Sequence, residues 1–433
     1  MSQLDREEIR RAVAGRRDWA ERTLCEMVRH PTVLGREQSG QEHLAGVMEE
    51  LGLTVRFEPI ELKAIAELPG FSPVDWPLDG KQNLVGIHDP GTAQGRSLVF
   101  NGHIDVVSPE PVELWTSPPF EPRLERAGED GEDWIYGRGA GDMKGGTMCY
   151  LWALAALGDA GLEPAARVVC QSPVEEECTG NGTLALLARG YRADACIIPE
   201  PFNERVLTHQ IGVIWFRLRV RGRTTHAGSG PGVNAIERTW TVIRALRALE
   251  AEVNRPENLS PEYRDLPHPI HLNLGMLRGG DWPSTVAGEC VAHLRFGLLP
   301  GASLAELRGR IEARVAEAAA ADPWLREFPP RVEYAGFQAE GCACRLDGEF
   351  GRTLRAAHAA WRGARPRDLR VTCTTDLRFF ELYYDIPATC YGPRAEGAHG
   401  VDEKVSVDSI ERVAEVLASF VADWCGLRRR KKP

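Results

Sequence analysis

No apolar run in this chain approaches the roughly 18 consecutive residues that a membrane-spanning helix needs, so no membrane role is expected. Positive charge is in deficit. Against 52 Lys and Arg stand 62 Asp and Glu, a formal net charge of −10. That balance argues against nucleic acid as a partner. No internal repeat or low-complexity segment is evident. The opening Asp5-Arg6-Glu7-Glu8 is charged and reads as the start of a helix, not as a signal peptide. Cysteine doublets of the kind that hold structural zinc are missing, since Cys342-Ala343-Cys344 stands without a second pair. The 11 cysteines are scattered, several inside strand-like apolar runs, as expected of reduced core thiols in a cytoplasmic protein. The basic tail Arg428-Arg429-Arg430-Lys431-Lys432 is expected to be solvated, with an address or a lipid contact as the other readings.

What is present is a globular composition, 43% hydrophobic and 26% charged. At 433 residues the chain exceeds one ordinary core, so more than one domain is expected. Helical periodicity over 5–30 ends at His30-Pro31, and a second amphipathic stretch covers about 39–52. Strand signals at 53–57, 83–87, 97–101, 166–171, 196–198 and 388–391 alternate with helical segments at about 145–158 and 182–189. This alternation predicts an α/β sheet layered with helices. Near Gln210 the pattern changes. Strands at 212–220, 270–277, 289–298 and 331–335 alternate with helices at 233–250 and 304–319, the β-α-β-β-α-β order of a ferredoxin-like module. The expected organisation is a catalytic domain over 1–209 and 340–433, interrupted by an inserted domain over 210–339.

Candidate chemistry lies at the ends of the apolar runs. His103, in Asn101-Gly102-His103-Ile104-Asp105, follows one strand. Glu175-Glu176-Glu177 follows another, and Glu200, in Pro199-Glu200-Pro201, a third. His399 lies beyond the strand at 388–391, and Asp142 sits in a glycine-rich turn. Ligands of open α/β sheets bind outside the carboxyl ends of the strands, so these groups are expected to share one site. Two imidazoles and several carboxylates are what a two-metal hydrolytic site needs. Taken alone, His103-Ile104-Asp105 also fits a satisfied core histidine. As a ligand, His103 is expected to bind through one ring nitrogen while Asp105 holds the other. The turn around Asp142 is no nucleotide loop. Lys144 is followed by Gly145 and not by Ser or Thr, and the position three after Gly139 is Asp142 and not glycine. A carboxylate on such a turn can approach two cations and bridge them. Three adjacent carboxylates repel one another, so without cations at least one tends to stay protonated. A solvated acidic loop is the bland reading of that triplet, but it directly follows an apolar run.

The motifs in this order resemble the acetylornithine deacetylase, succinyl-diaminopimelate desuccinylase, aminoacylase and carboxypeptidase G family of dinuclear zinc amidohydrolases. The resemblance spans almost the whole chain. It rests on Gly102-His103-Ile104-Asp105, Tyr136-Gly137-Arg138-Gly139 through Asp142-Met143-Lys144-Gly145-Gly146, Glu175-Glu176-Glu177, Pro199-Glu200-Pro201, Thr225-His226-Ala227-Gly228 and Ala398-His399-Gly400-Val401-Asp402-Glu403. It implies a zinc-peptidase-like α/β domain with an inserted ferredoxin-like dimerisation domain. It also implies two zinc ions, with cobalt or manganese as alternatives. Asp142 would bridge them, His103 and Glu200 would complete one shell, and Glu177 and His399 the other. Asp105 matches the family's supporting aspartate, and Glu176 matches its general base. His226 matches a histidine that reaches the partner subunit's site in a homodimer. Glu175 stands where the family usually has Asp. Arg378 falls where relatives contact a substrate carboxylate, though it also reads as a surface arginine. Ser284 or its neighbours stand where many relatives carry a substrate-touching asparagine. The implied activity is hydrolysis of a small N-acyl amide, with a dipeptidase or carboxypeptidase as the alternative and a non-catalytic metal-binding relative as the third reading.

Overall fold

The computed structural model describes residues 6–430. A six-stranded sheet runs in the order Thr54–Pro59, Gln82–His88, Val168–Ser172, Leu98–Asn101, Cys196–Ile198, Ala388–Cys390. Leu98–Asn101 pairs in parallel with both of its neighbours, and Ala388–Cys390 extends the parallel half. Parallel strands are buried on both faces, which is why their sequences read as continuous apolar runs. Every residue of Leu98–Asn101 and Val168–Ser172 is buried. Helix Gly146–Asp159 is apolar all round and buried for most of its length. Its first residue shows why the turn before it is rich in glycine. A Cβ on Gly146 would stand 2.0 Å from the Pro199 carbonyl oxygen. Only glycine lets this helix start so close to the strand end that carries Glu200.

A second sheet has the order Leu272–Gly279, Glu289–Leu298, Gly212–Arg221, Arg331–Ala339, antiparallel throughout. Helices Ala235–Val253 and Leu304–Ala321 cover one face, as the expected element order requires. A separate core forms there from Ile214, Phe216, Leu218, Leu246, Phe296 and Ile311. Strand alternation turns the other set, Trp215, Arg217, His293 and Arg295, to the opposite face. Where the chain enters and leaves this unit, Val206–Gln210 pairs with Cys342–Ala343 and Asp368–Val371.

Two expectations are corrected. The N-terminal helical stretch is two helices, Arg6–Ala14 and Arg17–Arg29. Gly15 lies between them, and the Trp152 indole donates to the Val13 carbonyl at 2.8 Å, which suits a break there. The tail is not simply solvated. Leu427–Arg429 forms a strand with Leu162–Pro164, and Arg428 pairs with Glu163 at 2.7 Å. Lys431 and Lys432, like Asp5, lie outside the described residues. The Cys342-Ala343-Cys344 pair holds no metal-ligand cluster among the described residues. Cys342 is a buried strand residue, and all 11 cysteines are free. Among the described residues no helix is long and apolar enough to cross a membrane.

Candidate metal centre and catalytic cavity

The strand ends converge as the topology demands. Leu98–Asn101 delivers His103, Val168–Ser172 delivers Glu175 to Glu177, and Cys196–Ile198 delivers Glu200. Asp142 comes from the turn before helix Gly146–Asp159. Its two oxygens face different histidines: Oδ1 lies 3.2 Å from His103 Nε2 and Oδ2 lies 3.4 Å from His399 Nε2. His103 Nε2 is also 3.7 Å from Glu200 Oε1, and His399 Nε2 is 3.1 Å from Glu177 Oε2. Two donor triads result, His103-Asp142-Glu200 and Asp142-Glu177-His399, with the ligand atoms of each within 4.8 Å of one another. Tetrahedral ligands at zinc distances are spaced by about 3.3 Å, so these separations suit a cation at each triad. Glu177 Oε1 is buried without a hydrogen-bond partner, a second sign that the donors await a cation.

The loops that carry Asp142 and His399 are locked to each other. Buried Glu403 accepts the backbone N–H groups of Gly141 and Asp142 through Oε1, each at 2.9 Å, and that of Gly139 through Oε2 at 3.1 Å. Arg138 pairs with Glu403 and donates to the Gly400 carbonyl at 3.0 Å. His399 itself sits at φ 62°, a left-handed conformation that costs energy and is common at functional sites. Glu403 was quoted with the motif, but nothing in the sequence alone reveals this clamp.

Asp105 supports the site differently from expectation. His103 Nδ1 meets the Asp105 carbonyl oxygen at 2.9 Å, whereas the nearer carboxylate oxygen is 3.7 Å away. The carboxylate instead accepts the backbone N–H groups of Glu176 at 3.3 Å and Glu177 at 3.1 Å. Its backbone thus fixes the imidazole and its side chain fixes the acidic loop. Burial chiefly pushes the Asp105 carboxyl up to about 7. Burial likewise pushes Glu176 and Glu200 well above the carboxylate range. Against burial, hydrogen bonds from His103 and His399 hold Asp142 well below it. Burial also opposes the charge on His399, yet Asp142 and Glu177 raise it to about 11. So dense a cluster of carboxylates calls for protons or cations.

A cavity of about 490 Å³ opens onto both triads. Glu176 lines it and belongs to neither triad. Trp215, Phe337, Phe202 and Val213 make the wall, and Trp215 meets Phe337 edge to face at 5.2 Å. The model of Peptidase family M20/M25/M40 matches residues 99–423. The chain belongs to this family. It is a metal-dependent amide hydrolase of the M20/M25/M40 peptidases. One similar protein is the N-formyl-4-amino-5-aminomethyl-2-methylpyrimidine deformylase of Halalkalibacterium halodurans. It is 30% identical over 354 residues, which is 77% of this chain and 80% of the relative. A succinyl-diaminopimelate desuccinylase of Methylocella silvestris is 28% identical over 93% of this chain and 97% of its own. The fold is shared with the dipeptidase Dug1p of Saccharomyces cerevisiae, with a TM-score of 0.80, 13% identity, and coverage of 98% and 99%.

Three other predicted residues of this M20 enzyme lie apart from the cavity lining. Arg378 is neither a surface residue nor part of that lining. It is fully buried, donates to the carbonyls of Thr375 at 3.0 Å and Thr179 at 2.7 Å, and lies over the Phe379 ring. It also lies 3.7 Å from buried Asp376. Arg378→Ala is therefore expected to lower stability by roughly 3–5 kcal/mol, because Asp376 is left buried without its cation. An unchanged melting temperature together with a raised KM would return Arg378 to substrate binding. His226 is exposed on the second unit, and its Nδ1 accepts the Gly228 N–H at 3.1 Å. Exposed Ser284 lies beside it, its carbonyl accepting the Ala227 N–H at 2.9 Å.

The cation that does line the cavity is Arg295, which the sequence reading missed. It has no carboxylate partner among the described residues, and its one hydrogen bond is to the Thr372 carbonyl at 3.5 Å. Burial lowers its pKa. Alternation in Glu289–Leu298 puts it on the polar face, but only the fold tells what that face looks onto. A third donor group, Glu250-His268-His271, lies outside the site. There Glu250 is already held by Arg247 at 2.8 Å, the Leu272 N–H at 2.8 Å and His268 at 3.2 Å, a hydrogen-bonded cluster that is satisfied as it stands.

Proposed function

We propose that the chain removes a small acyl group, formyl above all, from a primary amine carried on a heteroaromatic ring. His103 and Glu200 would hold one zinc ion, Glu177 and His399 a second, and Asp142 both. The observation that carries this reading is the division of the Asp142 oxygens between two imidazoles, at 3.2 and 3.4 Å. Imidazole and carboxylate donors suit zinc, and cobalt or manganese can take the same set. When bound, the cations supply Lewis acidity for the amide carbonyl and lower the pKa of the attacking water. Glu176 accepts that water's proton and returns it to the leaving nitrogen, a role worth about 10²–10⁴-fold. Asp105 keeps Glu176 in line through its backbone N–H. The aromatic wall of Trp215, Phe337 and Phe202 excludes water and favours a flat amine. The unpaired Arg295 is a donor for ring nitrogens. It also favours a peptide carboxylate, and so keeps the dipeptidase or carboxypeptidase reading in play. A panel of N-formyl, N-acetyl, N-succinyl and dipeptide amides, run on zinc- and cobalt-loaded enzyme, tests the proposal. Preference for dipeptides over every acylated amine would overturn it.

Residues 210–339 are proposed as a dimerisation unit that lends His226 to the partner's site. Its edge strand Leu272–Gly279 exposes Leu277, with Trp282 68% exposed beyond it, which suits a covered interface. With Nδ1 accepting from Gly228, the remaining proton sits on Nε2, a donor suited to an oxyanion. His226→Ala and Glu176→Gln proteins, each inactive alone, should then form mixed dimers with one working site. Mixing is expected to restore up to about half the activity per mixed dimer. No recovery despite demonstrated exchange would place His226 outside the partner's chemistry. The unpaired thiols support a cytoplasmic setting.

A further inference from the structure

A second groove, of about 370 Å³, adjoins the catalytic cavity and shares Trp215 and Arg295 with it. Its other walls include Trp76, Met276, Asn273 and His293. We infer that this groove receives the heteroaromatic ring of the amine, and that Trp76, pinned by Glu175, selects for that ring. The inference rests on the amide-hydrolase reading above.

The anchoring of Trp76 is unusual. Its indole N–H faces both oxygens of the Glu175 carboxylate, at 3.0 and 3.2 Å. Glu175 is wholly buried and pairs with Lys81, which also binds Glu37 at 3.0 Å. A hydrogen bond to a charged acceptor in a dry interior is stronger than one between neutral groups, so the ring is held in one orientation. A wall fixed in advance costs less ordering on binding. An aspartate at position 175 would withdraw the acceptor from Trp76 by one methylene. Glu175 also directly precedes Glu176, so one loop sets both the proposed base and the ring's wall.

Wall and floor are tied together. The segment carrying Trp76 bonds to the second sheet through Ser72 Oγ, which accepts the Gln338 N–H at 3.0 Å, and through the Pro73 carbonyl, which accepts the Gly336 N–H at 2.8 Å. Asp75 pairs with Arg217. The Asp75 carboxylate offsets part of the Arg217 charge, and two indoles and a thioether line the groove beside it. Burial and Arg217 lower the pKa of His293, which favours its neutral form. A flat neutral ring with acceptor nitrogens matches these surroundings. It would stack on indole and accept from Arg295, whereas a cationic body would meet an unpaired guanidinium.

The test compares N-formyl-aminomethylpyrimidine with N-formylmethylamine on the metal-loaded enzyme. It also measures binding of free aminomethylpyrimidine by calorimetry, which needs no turnover. For Trp76→Ala, the ratio of kcat/KM between the two substrates should fall about tenfold, with a similar weakening of amine binding. Trp76→Phe keeps a ring without the N–H, and Glu175→Asp keeps the charge with a shorter reach. Each should lower the ratio by a few-fold. An unmoved ratio, both substrates falling together, overturns the inference, as does amine affinity that Trp76→Ala leaves intact. If the wild type hydrolyses neither substrate, the proposed activity fails, and the calorimetry still decides whether the groove binds the ring.

Discussion

Glu176→Gln is expected to keep its full metal content and lose at least about a hundredfold in kcat. Glu176 lines the cavity but belongs to neither donor triad, so the change removes a base and no ligand. The amide nearly matches the carboxylate in size, and the backbone N–H of residue 176 still reaches Asp105. Turnover near that of the wild type, with both metals bound, would remove Glu176 from the chemistry. Should Glu177→Gln instead keep its metal and abolish turnover, the two roles are exchanged.

Asp142→Ala is expected to empty both metal positions together and with them the activity. Each carboxylate oxygen faces a different histidine, and among the described residues Asp142 is the one side chain common to both triads. His103→Ala and His399→Ala should each weaken mainly one position. Metal content measured by elemental analysis separates these cases. An equal loss in all three variants would argue against this division of the ligands.

His103, Glu177 and Glu200 of the two triads were legible because each sits within a few residues of the end of an apolar run, and Asp142 because its glycine-rich turn fits no nucleotide loop. Strand ends on one edge of a parallel sheet bring such residues together from distant points in the chain. Strands such as Cys196–Ile198 and Glu289–Leu298 were readable to the residue, since Pro199 stops the first and Gly288 and Pro300 bracket the alternating pattern of the second. What escaped depended on distance in sequence. The break at Gly15 goes with an indole from residue 152, and the short C-terminal strand forms on a partner more than 260 residues earlier. Asp105 acts through its carbonyl as well as its carboxylate, and no residue type announces a carbonyl. Arg378 looked exposed because arginine usually is. Thr375 and Asp376 are its near neighbours in sequence, but the Thr179 carbonyl and the Phe337 ring that help enclose it are brought in only by the fold. Arg295 was hidden in a strand whose pattern gives its face but not what that face looks onto.

The most direct measurement is stoichiometric reconstitution. The enzyme is stripped with a chelator, then titrated with zinc while hydrolysis of an N-formyl amine is followed. The account predicts no turnover without metal and activity that reaches its plateau at two zinc ions per chain. A plateau at one, or hydrolysis that survives complete removal of metal, would contradict it.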